Sequence, residues 1–315
     1  MNNLYDIVFC IDKNFNKQAF LSIASFYKTN INFENKIYII HKSPNSFKKY
    51  LKKLENHFPD CNVELIKFKF KIKHYPNLKS SHVSEATYYR MFIADHVVNS
   101  SPFIMYIDAD AFFIKDVSEV VNKIANRLSS ENLLLSAKTE HTYDEGVELF
   151  ARLDINDKYF NAGVMIINFK KWKDENISQK LKDKVDKIKE NINYWDQDVL
   201  NSVINGKYFE LPKELNYTVD FDGKKREVSN QIKILHYSGK LKPWGKKGVS
   251  LNADSYYREL EKLFTIWLTC SADIDSQTFL KYKELFLNEK MNIFNYNTKH
   301  DSKSYISNME NSKYS

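Results

Sequence analysis

The sequence predicts an α/β fold on a mixed, mainly parallel sheet, and three observations carry that prediction. Short β-prone apolar runs alternate with stretches of helical spacing, as parallel strands joined by right-handed crossovers require. One of these runs, Phe103-Ile104-Met105-Tyr106-Ile107, passes straight into Asp108-Ala109-Asp110 and then into a second apolar run, Ala111-Phe112-Phe113-Ile114. Carboxylates at the end of an interior strand sit where open α/β sheets bind ligands. The third observation is an absence: no Gly-x-Gly-x-x-Gly follows the first strand, which counts against an ordinary dinucleotide-binding fold.

The elements follow in order. Residues 5–10 form a first strand, ending in the polar Asp12, Lys13 and Asn14. Residues 19–27 carry apolar side chains at helical spacing, and 36–41 are a second strand. Ser43-Pro44 is a good helix start, continued by Phe47, Leu51, Leu54 and Phe58. Residues 63–68 are a third strand, and the Phe/Lys alternation over 68–73 predicts a strand edge guarded by Lys. Residues 84–98 predict a helix with Arg90 inside an apolar stretch. A buried Arg needs an anion, either a structural Asp or a bound phosphate.

Beyond the Asp pair, residues 117–128 predict a helix and 133–137 a strand, while 141–157 fit either a helix or a lid. Asn161-Ala162-Gly163 opens a buried strand, for a bend or for close approach of a ligand. Residues 170–191 predict one long Lys-rich helix, and Asp196 and Asp198 start another, where acidic side chains suit the helix dipole. Strands are expected at 207–211 and 232–235, with a polar loop over 219–230. His236 follows the last strand.

The chain has 315 residues, 43% hydrophobic and 15% aromatic, enough for a sizeable core. Only 7 Gly and 6 Pro leave no long flexible linker in evidence. Cys10, Cys61 and Cys270 are too scattered for a zinc site or a disulfide framework, so a reducing cytosol is expected. The first residues lack the basic and apolar regions of a signal peptide, and no run approaches the ~18 apolar residues of a membrane span. The net charge of +7 suits anionic substrates or an anionic membrane surface, but no nucleic-acid recognition motif accompanies it.

Taken alone, Asp108 and Asp110 fit a solvated turn or a site for a hard divalent cation, Mg²⁺ or Mn²⁺. The ordered set of motifs says more. It comprises Ile7-Val8-Phe9-Cys10-Ile11-Asp12-Lys13-Asn14-Phe15, Thr87-Tyr88-Tyr89-Arg90, and Met105-Tyr106-Ile107-Asp108-Ala109-Asp110. Then come Phe160-Asn161-Ala162-Gly163-Val164-Met165-Ile166-Ile167-Asn168 with Lys171-Trp172, and Asp196-Gln197-Asp198-Val199-Leu200-Asn201. His236-Tyr237-Ser238-Gly239 and Lys242-Pro243-Trp244 close it. In this order the motifs resemble the bacterial members of glycosyltransferase family 8, retaining hexosyltransferases that include lipopolysaccharide galactosyl- and glucosyltransferases.

The resemblance implies a single GT-A-type, Rossmann-like domain over residues 1–250. It implies a UDP-hexose donor and an oligosaccharide or lipid-linked glycan acceptor. Asp108, Asp110 and His236 would hold Mn²⁺ or Mg²⁺ against the diphosphate, with Ala109 between them. Asp12 and Asn14 would contact the uridine. Phe15, where many relatives have Tyr, would stack on uracil without a hydroxyl contact. Lys242 and the Gly239 backbone would face the diphosphate, and Arg90, Asn161, Ala162, Asp196 and Gln197 the donor sugar. Asp196 and Gln197 are the expected catalytic pair. The same sheet also suits a sugar-1-phosphate nucleotidyltransferase, though residues 11–16 lack the Gly-rich loop it needs, or a non-catalytic sugar-nucleotide or glycan binder.

Past Trp244 the likeness fades. Tyr256, Leu260, Leu263, Phe264 and Trp267, then Phe279, Tyr282, Leu285 and Phe286, predict a helical extension over 251–296. It would pack on the main domain or lie on the inner membrane of a cytoplasmic enzyme. Residues 297–315 are polar and expected to be disordered.

Overall fold

The computed structural model describes residues 3–72, 74–76, 84–219, 228–239 and 242–244. The expected C-terminal helices and tail lie outside the described residues, as does most of the 219–230 loop.

Strand β1 (Tyr5–Ile11) leads through a short 3₁₀ turn into helix α1 (Asn16–Thr29), then β2 (Ile37–His41), α2 (Lys48–His57) and β3 (Val63–Lys67). A 3₁₀ segment (Glu85–Phe92) runs into the single turn α3 (Ile93–His96). Then come β4 (Phe103–Ile107), β5 (Ala111–Phe113), α4 (Ser118–Ser130), β6 (Leu135–Thr142), α5 (Val147–Leu153) and β7 (Lys158–Asn168). Helices α6 (Phe169–Asp174), α7 (Ile177–Ile188) and α8 (Trp195–Ile204) precede three short strands, β8 (Phe209–Glu210), β9 (Tyr217–Thr218) and β10 (Ile234–His236).

The main sheet has seven strands in the order β3-β2-β1-β4-β7-β6-β8. It is mixed: β1, β2, β3 and β4 pair in parallel, and β7 runs antiparallel to both β4 and β6. Both faces are covered, and the strands alternate between two cores accordingly. Ile7, Phe9 and Ile11 join one core with α1 and α4, while Val8 and Cys10 join the other with the 3₁₀ segment, α6, α7 and α8. Strand β4 divides the same way, with Met105 and Ile107 on one side and Ile104 and Tyr106 on the other.

Four expectations change. Residues 84–98 are mostly 3₁₀ rather than α. In a 3₁₀ turn side chains at i and i+3 stack in line, which brings Thr87 and Arg90 to one face. Residues 170–191 are two helices, because Asn176 adopts left-handed φ (53°), a conformation Asn tolerates. Residues 68–72 are not a strand. Phe68 leaves the sheet to stack on Tyr89, ring centroids 3.7 Å apart. The 141–157 stretch is neither helix nor lid alone: β6 extends through Thr142, and a Thr142/Glu145 capping box leads towards α5.

A smaller sheet, β5-β10-β9, places the last functional side chain. Strand β10 pairs antiparallel with β5, His236 opposite Ala111, so His236 arrives beside Asp110.

Candidate active site

The Asp pair closes the turn from β4 to β5. Asp108 N–H donates to Gly163 O of the neighbouring β7 at 2.8 Å, and Tyr237 N–H donates to Asp110 O at 3.0 Å. The backbone thus fixes both carboxylates before any side-chain contact is made. Asp108 Oδ1 accepts from the Tyr106 hydroxyl at 2.7 Å and from Arg90 Nη2 at 2.9 Å, so Oδ2 is the oxygen left over. Asp110 Oδ2 is paired with the Lys242 ammonium. Its Oδ1 is buried and accepts no hydrogen bond, although His236 Nε2 lies 3.4 Å away. Burial opposes the charge on Asp110. Lys242 and then His236 outweigh it and hold the carboxyl well below the usual range.

Asp108, Asp110 and His236 each turn one ligand atom to a common point, all within 4.8 Å of one another. Two carboxylate oxygens and an imidazole nitrogen suit a divalent cation. The space is made by Gly163, where a Cβ would stand 2.2 Å from His236 Cε1 and 2.9 Å from Asp108 Oδ2. Of the two uses expected for that glycine, the bend is seen, since β7 slips register against β6 between Asn161 and Met165; the missing side chain also leaves room for the His236 ring. An orphaned oxygen facing a ring nitrogen beside this gap is the arrangement a cation would complete.

Arg90 joins this cluster to a second. It is buried, its guanidinium lies over the Tyr106 ring at 4.4 Å, and Nη1 donates to Ala162 O. Arg90 Nε stands 2.7 Å from Asp196 Oδ2. Its N–H is aimed instead at Thr87 O, 3.2 Å away, so Asp196 Oδ2 accepts no hydrogen bond. The Thr87 hydroxyl donates to Asp196 Oδ1. Both anions raise the Arg90 pKa against its burial, but one cation serves two carboxylates. The deeper carboxylate is the under-compensated one: burial, only partly offset by Arg90 and Thr87, pushes Asp196 up to about 6. Of the partners expected for Arg90, the structure supplies the carboxylates.

Gln197 is clamped. Its Oε1 accepts from Ala162 N–H at 3.0 Å, and its amide donates to Glu140 at 2.9 Å and to Tyr159 at 3.1 Å. Two residues before it, Trp195 has φ 48°, a left-handed backbone that is strained for so bulky a residue, and it lines the same cavity.

Twelve of the fourteen expected residues line one cavity of about 390 Å³, within the ~300–1,000 Å³ of small-molecule sites. The exceptions, Asp12 and Asn14, sit on the turn after β1, where Asp12 Oδ1 accepts from Asn14 N–H at 2.8 Å. Phe15, at the end of that turn, reaches the cavity. Gly239 lies on the wall with φ 82° and open space around it, so conformation rather than room selects glycine there. The sequence reading missed Tyr106, Glu140, Tyr159 and Asn216 as parts of the site, and Thr87 as a partner of Asp196. Thr87 was visible only through its spacing from Arg90.

Comparison with known proteins gives the fold and the family. The galactosyltransferase LgtC, solved with donor and acceptor sugar analogues, superposes with a TM-score of 0.67 over 82% of this chain and 95% of its own, at 20% identity. The fold is therefore the GT-A fold. Within that class, this chain belongs to glycosyl transferase family 8, whose model matches residues 6–248. A lipopolysaccharide 1,3-galactosyltransferase of Salmonella typhimurium is 28% identical over 267 residues, covering 78% of this chain and 74% of that protein. Glycosyltransferase GlyE of Streptococcus pneumoniae is 28% identical over 258 residues, covering 77% of this chain. The chain spans 57% of GlyE's length. No helix among the described residues is long and apolar enough to cross a membrane.

Proposed function

We propose that this protein is a metal-dependent, retaining hexosyltransferase. It moves galactose or glucose from a UDP-sugar to a hydroxyl of lipopolysaccharide or another surface glycan. One observation carries the reading: a three-ligand cluster and a buried Asp196 meet across a single guanidinium in one cleft. The lipopolysaccharide transferases among its relatives support the acceptor class.

Asp108 Oδ2, Asp110 Oδ1 and His236 Nε2 would hold Mn²⁺ or Mg²⁺, which when bound supplies Lewis-acid neutralisation of the departing diphosphate. Lys242 adds a fixed cation on the same side, and the Gly239 backbone faces the phosphates beside it. Phe15 stacks on the uracil, with Asp12 and Asn14 on the uridine. Asn161 spends its Oδ1 on protein donors, so its NH₂ is the part left for a phosphate or sugar oxygen. Asp196 and Gln197 face the anomeric carbon as positive charge develops there.

The bond between the anomeric carbon and the phosphate oxygen breaks as the acceptor oxygen bonds that carbon, and the acceptor's proton passes to the departing phosphate oxygen. We favour attack on the same face as departure. A covalent route would need a free nucleophile opposite the leaving group. The Gln197 oxygen, an amide and so a poor nucleophile, already accepts a backbone N–H, and the Asp196 oxygen that accepts no hydrogen bond is drawn to the Arg90 charge 2.7 Å away. Contact with the inner membrane through the segment beyond residue 250 belongs to the same proposal.

The test is Mn²⁺-dependent hydrolysis or transfer from UDP-galactose and UDP-glucose. Asp110→Asn should lower the rate on the order of 10²-fold or more. An unchanged rate sinks the metal assignment, and tight UDP binding without turnover on any acceptor would favour a binding protein instead.

A further inference from the structure

We infer that Asn216 sets which nitrogen of His236 faces Asp110, and so acts as a positioning residue for the cation site; this rests on the metal reading above. The relay begins at a backbone donor. Gly163 N–H points at Asn161 Oδ1 from 3.0 Å. A backbone N–H only donates, so the Asn161 atom facing it is the carbonyl oxygen. The Asn216 amide meets that same oxygen at 3.1 Å, and only its NH₂ can donate there. Asn216 Oδ1 is then turned the other way, onto His236 Nδ1 at 2.9 Å. An amide oxygen only accepts, so Nδ1 carries a proton.

In a neutral imidazole the other nitrogen is then bare. That nitrogen, Nε2, is the one 3.4 Å from the orphaned Asp110 Oδ1, and a lone pair is what a metal ligand must present. Asn216 and His236 are almost wholly buried, at 0% and 2% exposure, so solvent does not readily substitute for either partner. Their neighbourhood is fixed by the small sheet: Asn216 directly precedes β9, which pairs in parallel with β10, Thr218 opposite His236. The tautomer of a ligand on β10 is thus dictated from the backbone of β7 through two asparagine side chains.

The experiment uses the full chain, metal-free, with ¹⁵N-labelled histidine at about pH 8. His236 is assigned by comparison with His236→Gln, and free Mn²⁺ is read by electron paramagnetic resonance. The wild-type spectrum should show the Nδ1–H tautomer. Asn216→Leu should populate Nε2–H and weaken Mn²⁺ binding about 10–100-fold, the usual cost of losing an outer-shell partner. Asn216→Asp keeps an acceptor on Nδ1, so it should retain the tautomer and bind Mn²⁺ within about tenfold of wild type. A wild-type Nε2–H tautomer overturns the inference, as does Asn216→Leu with tautomer and affinity unchanged. If Asn216→Leu does not fold, the wild-type and Asn216→Asp spectra decide. His236→Gln separates this from the metal reading: wild-type Mn²⁺ affinity in that variant sinks the metal assignment, whatever the tautomer.

Discussion

Asp196 and Asp198 stand two residues apart in the first turn of α8, both buried, yet they are held in opposite ways. Asp198 accepts from four donors: Arg152 at 2.9 Å, the Tyr159 hydroxyl at 2.8 Å, and the N–H groups of Asn193 and Tyr194 at 2.7 and 2.9 Å. Every lone pair that matters is used, and the charge sits where the helix dipole favours it. Asp196 has the Thr87 hydroxyl and a share of Arg90, and one of its oxygens accepts nothing. A buried carboxylate with all its partners in the protein holds structure together. One left short of partners, facing a cleft, is available to a ligand.

That contrast predicts opposite phenotypes. Asp196→Asn should remove the charge that the developing cation meets, lowering turnover on the order of 10²-fold or more while the protein still folds. Asp198→Asn should do the reverse. It breaks a buried, charge-assisted network and should cost about 3 kcal/mol of stability in denaturant unfolding, with turnover of the folded fraction falling less than about tenfold. A variant pair with these effects exchanged would show that the roles have been assigned the wrong way round.

A pH experiment tests the same difference more gently. Burial raises the folded-state pKa of Asp196 to about 6, above the ordinary value of an aspartate. The folded protein therefore holds that proton more tightly than the unfolded chain does. The resulting stabilisation is fully present below about pH 4 and is lost as pH rises through about 6. Asp196→Asn does not titrate there. The melting temperature of the wild type minus that of Asp196→Asn, without metal, should fall as pH goes from 4 to 7. A rise would mean that Arg90 dominates over burial.

The smallest effect is expected on the metal side. Tyr106→Phe deletes one donor to Asp108 Oδ1 and leaves Arg90 in place. It should cost about 1 kcal/mol of stability and a few-fold in Mn²⁺ affinity, read by unfolding and by titration. A hundredfold loss would mean that Arg90 alone does not hold Asp108.

Much of this was legible in the chain itself. Strands β1, β2 and β4 announced themselves through apolar runs, because a strand buried on both faces has little choice of residue. The Asp pair, His236 and the Asp196-Gln197 step were visible because their chemistry demands those residue types. The distinction between Asp196 and Asp198 was not legible: both are acidic residues in a first turn, and only their partners separate them. Those partners, Thr87, Arg90, Arg152 and Tyr159, come from distant elements. Gly163 was seen as a bend but not as the space for His236, which arrives from a strand pair too short to predict. Asn216 left no signal, because a lone buried Asn after a turn has no pattern of its own. The 3₁₀ geometry of 85–92 was hidden too, as apolar spacing over eight residues fits either helix type.

The most direct measurement is turnover of UDP-galactose and UDP-glucose by chelator-treated protein as Mn²⁺ is added back, in wild type and in Asp196→Asn. The proposed chemistry predicts no turnover without metal and recovery on Mn²⁺ addition in the wild type. It predicts no recovery in Asp196→Asn, even though that variant binds Mn²⁺ as the wild type does. Full turnover in the presence of chelator, or recovery of Asp196→Asn to the wild-type rate, would contradict it.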